Sequence, residues 1–342
     1  MQVPRKTSRV THAAVSVALA CLWWSAGGRA AGAPEPATDA PTPTYRTLHP
    51  IGETIAESLF GAREPSEWHP LSLDSLFSEG WDEPWVGPPR GSGGAPRQGW
   101  INAADGDSYR LAYVTYGFRR VHHSTATAQL GQFTLYAPLS RRLALITSVP
   151  FFQQNLSLGS GQPFLGGNGS GGGGLRIPKG RSGFGDLTVA PRVMLVDTRD
   201  FSAVGQLAAT VPTGQSSGDG RSSLTPSVQF WSNPFSGFGL RGGIGSNVPL
   251  NRKAGGPSLL GQFAAGYTFT DHDVPVFGDF TLYLSTVVSV DVESASKTAA
   301  SLSPGLRTHL GGDYYLLAAV ELPVTGSHTF DGTGYFWFMK AW

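Results

Sequence analysis

Cysteine is almost missing from this sequence. Cys21 is the only one in 342 residues, and it falls in a region that reads as a secretory leader. Beyond that leader no disulfide and no thiolate metal site is expected. Charge is scarce as well. Charged residues make up 14% of the chain, against roughly 25% in soluble domains, and the formal net charge is +1. Long apolar runs are absent too: no segment reaches the roughly 20 residues that a spanning helix needs, and mean hydropathy is only −0.10. A soluble enzyme of this size usually carries more Lys and Glu, and a helical membrane protein more Leu and Ile. Glycine (46 residues), Ser, Thr and aromatics fill the gap. That composition suits strands that face two different solvents.

The first thirty residues carry the marks of an export signal. Arg5, Lys6 and Arg9 form a basic start, an apolar stretch runs from Ala13 to Trp24, and Gly28 and Ala30 place small residues before a cut after Ala30. The stretch is too short for a membrane anchor. Ala18-Leu19-Ala20-Cys21 lacks the residue order of a lipoprotein attachment site. The domain reading is therefore residues 1–30 as signal peptide, 31–107 as a Pro/Gly-rich, acidic extension, and 108–342 as one β domain.

The extension is uneven. Residues 31–44 are rich in Ala, Pro and Thr and read as a flexible leader. Leu48, Ile51, Ile55, Leu59 and Phe60 fall near helical spacing, and Leu71, Leu73, Leu76 and Phe77 form a second apolar cluster. Pro and Gly dominate from Pro84 to Gly99, while Trp68, Trp81, Trp85 and Trp100 suggest that something is packed. Three readings stand open: a periplasmic arm, a plug that enters the β domain, or a weakly ordered extension. The working expectation is an arm, over residues 45–107, that the β domain does not need in order to fold.

From about Tyr109 the pattern turns to period two. Leu259, Phe263, Ala265, Tyr267 and Phe269 alternate with Gln262, Ala264, Gly266, Thr268 and Thr270; Phe280, Leu282, Leu284, Val288 and Val290 alternate with Asp279, Thr281, Ser285 and Ser289. Such alternation gives strands one apolar and one polar face. About twelve strands are predicted, centred near residues 113, 131, 146, 190, 206, 227, 242, 264, 284, 304, 318 and 338. A soluble sandwich also alternates, so other features must discriminate. The segments Leu187–Val196, Ser202–Val211, Leu259–Phe269 and Phe280–Val290 match the roughly 9–11 residues of a membrane strand. Apart from a short link read at 119–123, the connections 153–182, 214–222, 248–257, 291–297 and 325–332 alternate with the shorter 138–141, 197–200, 232–236, 271–276 and 311–313. Outer-membrane barrels show this asymmetry together with an even strand number. The fold class is thus all-β: an antiparallel transmembrane barrel of about twelve strands, preceded by short helical or irregular segments. The last strand ends Tyr335-Phe336-Trp337-Phe338-Met339-Lys340-Ala341-Trp342. Phe336, Phe338 and Trp342 share a face and resemble the signal read by the barrel-assembly machinery; Lys340 interrupts that face.

Strands three and five end in Val149-Pro150-Phe151 and Val211-Pro212-Thr213-Gly214, and Gly183-Phe184-Gly185-Asp186-Leu187 opens the strand between them. Here the chain resembles the meta-pathway phenol-degradation type of outer-membrane proteins, over roughly residues 109–342. The resemblance implies a barrel that passes small hydrophobic or aromatic compounds. The glycine-laden first long connection and the long acidic arm depart from that pattern. Proline at a strand end removes a ladder donor where pairing should stop, and Asp186 is read as bracing the loop–strand junction.

No catalytic signature is present: no His-Glu-x-x-His, no Gly-Lys-Ser/Thr phosphate loop, no Cys pair. Ser170 in Gly167–Gly171 reads as linker, and adjacent His123-Ser124 point to opposite faces. His122-His123 and Asp271-His272-Asp273 could hold a metal only weakly, lacking a second ligand cluster at a set spacing. Neither enzyme activity, cofactor, metal nor nucleic-acid partner is expected. The predicted inward faces carry Arg142, Asp186, Arg192, Arg241, Asp279, Arg307, His309 and Glu321, besides Gln132, Gln206, Gln229 and Gln262. These lumen-lining candidates fit a passive channel for a small-molecule solute. The alternatives are a structural or assembly barrel whose cations pair with Asp186, Asp279 and Glu321 in a sealed interior, or a secreted soluble β-sandwich or barrel enzyme. Arginine at Leu282 is expected to harm the barrel and arginine at Thr281 to be mild. N-terminal sequencing of the membrane fraction should find a mature chain beginning near Ala31; recovery as a soluble periplasmic protein would favour the sandwich.

Overall fold

The computed structural model describes residues 61, 67–121, 127–154, 182–214, 222–251, 256–293, 298–325 and 330–342. The expectations for the signal 1–30 with Cys21, the leader 31–44, the apolar cluster ending at Phe60, His122-His123 and the loop holding Ser170 lie outside the described residues.

Alternating side chains and β-branched or aromatic content build the strands Leu111–Val121 (β1), Thr127–Pro138 (β2), Leu143–Gln154 (β3), Ser182–Gly183 (β4), Leu187–Asp197 (β5), Phe201–Val211 (β6), Ser223–Phe235 (β7), Phe238–Pro249 (β8), Ser258–Thr268 (β9), Gly278–Asp291 (β10), Thr298–Gly311 (β11), Tyr314–Pro323 (β12) and Phe330–Ala341 (β13). Neighbours pair antiparallel in sequence order, with the two-residue β4 only extending the end of β3. β1 pairs with β2 on one side and with β13 on the other, Tyr113 opposite both Thr134 and Met339. The sheet therefore closes into a barrel of twelve long strands, and each expected strand centre lies inside one of them. Closure leaves no unpaired edge, the condition for crossing a bilayer with strands. No helix of the described residues is long and apolar enough to cross a membrane.

The two faces separate cleanly. Outside stand Phe118, Phe133, Val228, Ile244, Tyr267, Leu282, Leu284, Leu316, Val320, Phe336 and Phe338, all exposed. Inside are Gln132, Thr134, Arg192, Gln206, Gln229, Arg241, Gln262, Ser285, Ser303 and Arg307, all buried. A soluble barrel would bury its apolar face instead, so this is a transmembrane β-barrel. One end carries the short turns 139–142, 198–200, 236–237 and 312–313 and the longer turn 269–277; the strands are joined at the other end by 122–126, 155–181, 212–222, 250–257, 292–297 and 324–329.

The N-terminal segment is not an arm held away from the barrel. Residues 67–94 lie across the short-turn end. Leu71 exchanges two backbone hydrogen bonds of 2.8 Å with Asp197 and packs on Met194 and Val204. Ser92 binds Asp200 through its backbone N–H and hydroxyl, each at 2.6 Å. The chain then enters the barrel, reaches the middle of the strands at Asn102–Asp105, and returns through Arg110 to β1. The other half of the apolar cluster stays wet: Leu73 and Phe77 are exposed.

One expectation about the inward face changes. Leu282 points outward and half exposed, as its spacing predicts, but Thr281 is fully buried. Its hydroxyl lies 2.9 Å from Thr268 Oγ1 and donates to the Asp279 carbonyl two residues back at 2.9 Å, and its cross-strand partner is Arg307. No free lumen receives an arginine there. Leu282→Arg should cost roughly 2–4 kcal/mol if the site lies near the bilayer midplane. Thr281→Arg should also destabilise, by crowding Arg307, and detergent-to-urea unfolding curves should show both losses. An undisturbed Leu282→Arg variant would reject the outward assignment.

Candidate functional site

The lower half of the lumen is built around arginines that the strands point inward. Arg241 donates from Nη1 to Asp105 Oδ1 at 3.1 Å and from Nη2 to the carbonyls of Arg97 and of Gln98, the latter at 2.6 Å. Its guanidinium lies over the Trp100 ring. Arg192 donates from Nη1 to the carbonyls of Asp105 (2.7 Å) and Asp107 (2.5 Å), and from Nε and Nη2 to Gln206 Oε1. Arg307 donates to Gln98 Oε1 at 2.9 Å and lies over Tyr315. All three are no more than 2% exposed. An unpaired cation in such a place is prohibitive, and the plug supplies acceptors: backbone carbonyls and the Asp105 carboxylate to Arg192 and Arg241, and the Gln98 side-chain oxygen to Arg307, whose Nε and Nη1 make no hydrogen bond among the described residues.

The plug brings its own cations to the wall. Arg97 donates to Asp107 Oδ2 at 3.0 Å and Asp197 Oδ1 at 2.8 Å, with its guanidinium over Trp231. Arg90 grips both oxygens of Asp279 at 2.6 and 2.7 Å, a forked pairing. Trp100 stacks on Tyr283 with centroids 5.1 Å apart. Asn102 donates to Ser303 at 2.9 Å, and the Asp105 N–H to Gln229 Oε1 at 3.0 Å. Backbone meets backbone at Gly106: a Cβ there would fall 2.0 Å from the Phe230 carbonyl carbon. Burial holds the Asp105 carboxyl above the usual carboxylate range, against the lowering pull of Arg241 and Arg192. Burial likewise pushes Asp107 up to about 6, opposed by Arg97 and reinforced by Asp197.

The sequence-derived candidates separate into three places. Arg192, Arg241 and Arg307 contact the plug, and Asp279 holds its Arg90. Arg142 is not in the lumen. It sits in the β2–β3 turn and donates to the carbonyls of Ser72, Glu79, Met194 and Leu195 at 2.9–3.0 Å, tying the N-terminal segment to the rim. Asp186 accepts the Gly214 N–H at 2.9 Å, between the β4–β5 and β6–β7 connections. Glu321 lies toward the other end, taking Arg119 at 3.1 Å, Ser301 at 2.7 Å and Tyr335 at 3.0 Å. His309 stacks on His272 at the short-turn end, centroids 4.0 Å apart. Of the terminal aromatics, Phe336 and Phe338 are exposed on the outer face, and the Trp342 N–H donates to the Arg110 carbonyl. Lys340 bends back to Gly312 O at 2.5 Å and lies over the Tyr314 ring, so the charge that breaks the terminal face sits at the rim.

Sequence reasoning missed Arg119, Asp105, Asp107 and Arg97. Arg119 shares the inward parity of Tyr113 and Thr115 and was recoverable from period two; its assignment to a loop hid it. The others lie in irregular chain, where no periodicity marks a face.

Inward-facing aromatics gather on one side of the lumen. Tyr113 and Trp337 stack at 4.3 Å, Tyr136 lies 6.2 Å from Tyr113, and Tyr109 6.3 Å from Tyr136. Tyr335, Tyr283 and Trp100 belong to the same buried cluster. Toward the other end of the barrel, Arg119 Nη1, Thr225 Oγ1 and Asn247 Nδ2 are buried with no hydrogen-bond partner among the described residues, as is Gln262 Nε2 at the level of the plug.

Closed barrel, apolar outer face and polar lumen define a β-barrel membrane protein with an internal plug. The chain belongs to the family described as "Putative MetA-pathway of phenol degradation", whose model matches residues 109–339. No curated protein matches the chain in sequence. Among solved structures it is similar to an outer membrane channel from Pseudomonas putida F1, at 11% identity and a TM-score of 0.47, over 72% of this chain and 99% of that one. It is also similar to the KdgM porin (9% identity, TM-score 0.43, 67% and 99% covered) and to a mutant of the TodX monoaromatic hydrocarbon channel (11%, 0.37, 70% and 91%).

The raised Asp107 sets a sign for pH dependence. The folded state holds this proton more tightly than the unfolded chain does, so stability falls as pH rises from about 4 to about 6 and levels above that. Asp107→Asn should flatten this slope in pH-resolved unfolding; an unchanged slope would remove Asp107 as its source.

Proposed function

We propose that the protein is a passive outer-membrane channel for small hydrophobic or aromatic compounds, narrowed from the short-turn end by its own N-terminal segment. The observation that carries this reading is the divided lumen. Twelve strands enclose more interior than their side chains fill, and a loop held by side-chain contacts rather than strand pairing stops the lower half. The upper half keeps buried inward polar groups, Arg119 Nη1, Thr225 Oγ1 and Asn247 Nδ2, whose hydrogen-bonding capacity the described residues leave unspent. The cargo class is supported by the family's description and by the aromatic side of the lumen, where Tyr113, Tyr136, Tyr335 and Trp337 form one buried cluster. An outer membrane holds no ATP, so the proposed transport runs down a gradient.

Residues 1–30 would direct export, and the outward Phe336 and Phe338 of β13 would be read by the barrel-assembly machinery. The short-turn end would then face the periplasm, as in outer-membrane barrels. The dense pairing of Arg192 and Arg241 with the plug supports one competing reading, a sealed structural barrel.

The experiment is solute flux into proteoliposomes with the mature chain and with Gly106→Val, whose side chain the Phe230 backbone would exclude. Phenol-sized solutes should enter with the wild type, and flux and single-channel conductance should rise severalfold in the variant. Tyr113→Ala together with Trp337→Ala should reduce aromatic flux more than glycerol flux. No flux or conductance in either the wild type or the folded Gly106→Val variant would leave the sealed barrel standing.

A further inference from the structure

The short-turn end holds a cluster that neither the plug nor the lumen uses. His272 lies in the β9–β10 turn, His309 near the end of β11, and Asp313 in the β11–β12 turn. One ligand atom from each lies within 4.8 Å of the other two. We propose that these three side chains form a divalent transition-metal site, suited to Zn(II), opening at the short-turn rim.

The argument rests on which nitrogens are already committed. His272 Nδ1 is 2.8 Å from Asp279 Oδ2, and His309 Nδ1 is 3.1 Å from the His272 carbonyl. Both acceptors can only receive a proton, so each imidazole carries its hydrogen on Nδ1 and leaves the Nε2 lone pair free. A carboxylate or backbone carbonyl on the far nitrogen is the outer partner that metal-ligating histidines ordinarily have, fixing tautomer and raising basicity. His309 is 8% exposed, and its Nε2 has no hydrogen-bond partner among the described residues. That buried lone pair is otherwise unexplained. Two imidazoles and one carboxylate, with further positions left to water, are a zinc donor set.

Two features set how an ion would bind. The rings are stacked, 6° from parallel, whereas a metal sits in the plane of each ligand ring. His272, a third exposed on its turn, must therefore tilt on its Asp279 hydrogen bond as the ion enters. Asp313 stands 3.6 Å from Lys340, which competes for the carboxylate. The Asp279 that orients His272 also takes Arg90, so an ion here would brace the turn that anchors the N-terminal segment.

The test is calorimetric titration of Zn(II) into the detergent-folded mature chain carrying no affinity tag, with Co(II) absorption as a second readout of nitrogen ligation. One ion per chain is expected. His272→Gln should weaken binding at least tenfold, as should His309→Gln; Asp313→Asn should weaken it less, and Lys340→Gln should tighten it. His69→Gln, beside Arg141 of the β2–β3 turn at the same rim, should change nothing. His272 is on an exposed turn, so its variant keeps the test valid if His309→Gln does not fold. Absence of Zn(II) uptake by the wild type, or equal uptake by a folded His272→Gln variant, would overturn the proposal without touching the channel reading.

Discussion

A guanidinium sealed inside a protein must be given acceptors, because an unpaired charge in that environment costs several kcal/mol. Three strands of this barrel aim an arginine into the lower lumen, Arg192 from β5, Arg241 from β8 and Arg307 from β11, and each is at most 2% exposed. The neighbouring strands supply Gln206 to Arg192, and Asp279 lies 3.9 Å from Arg307, which is too little. The rest comes from residues 97–107, as carbonyls of Arg97, Gln98, Asp105 and Asp107 and the carboxylate of Asp105. The plug and the inward cations are thus one design. The wall needs the segment to satisfy its charge, and the segment needs the wall to hold irregular backbone away from water.

The same constraint explains the plug's composition. Its hydrogen-bonding groups must turn outward to the wall at several heights, which a helix or strand would keep for itself. A Gly- and Pro-rich run is suited to that task. Its fixed points are large: Trp100 against Tyr283, Arg97 over Trp231, and Arg90 on Asp279. Gly266 leaves the room Trp100 needs, since a Cβ there would lie 2.8 Å from the indole. Polar and aromatic contacts of this kind hold the segment in place, yet they can be exchanged for water or a solute more readily than a sheet ladder can. That distinguishes the plug from an extra strand.

Outside the barrel the requirement is reversed. Lipid offers no hydrogen bonds, so the outer face is apolar and the backbone is paired around a full ring. The polar exceptions cluster at the rim, where Lys340 reaches the Gly312 carbonyl and Asp313. His272 and His309 occupy the same rim, the first a third exposed and the second buried.

Strand number, strand length and facing were legible in the amino-acid sequence, because period two is a local property. Which side Leu282 and Thr281 point to follows from their own neighbours. So did the asymmetry of the connections and the family resemblance carried by Val149-Pro150-Phe151, Gly183–Leu187 and Val211–Gly214. The fate of residues 67–110 was not legible. Irregular chain has no period to mark a buried face, and the contacts that place it join positions far apart, Arg241 with Asp105 across 136 residues and Arg90 with Asp279 across 189. Arg142 shows the same limit at smaller scale: it was read as lumen-facing, but it lies in a turn and its direction was decided by Ser72 and Glu79. Local alternation determined that this protein is a barrel with a charged interior. Only closure of the ring decided that the charges would be answered by the chain's own N-terminal segment, since only then do twelve separate strands and one irregular loop share the same small, water-poor volume.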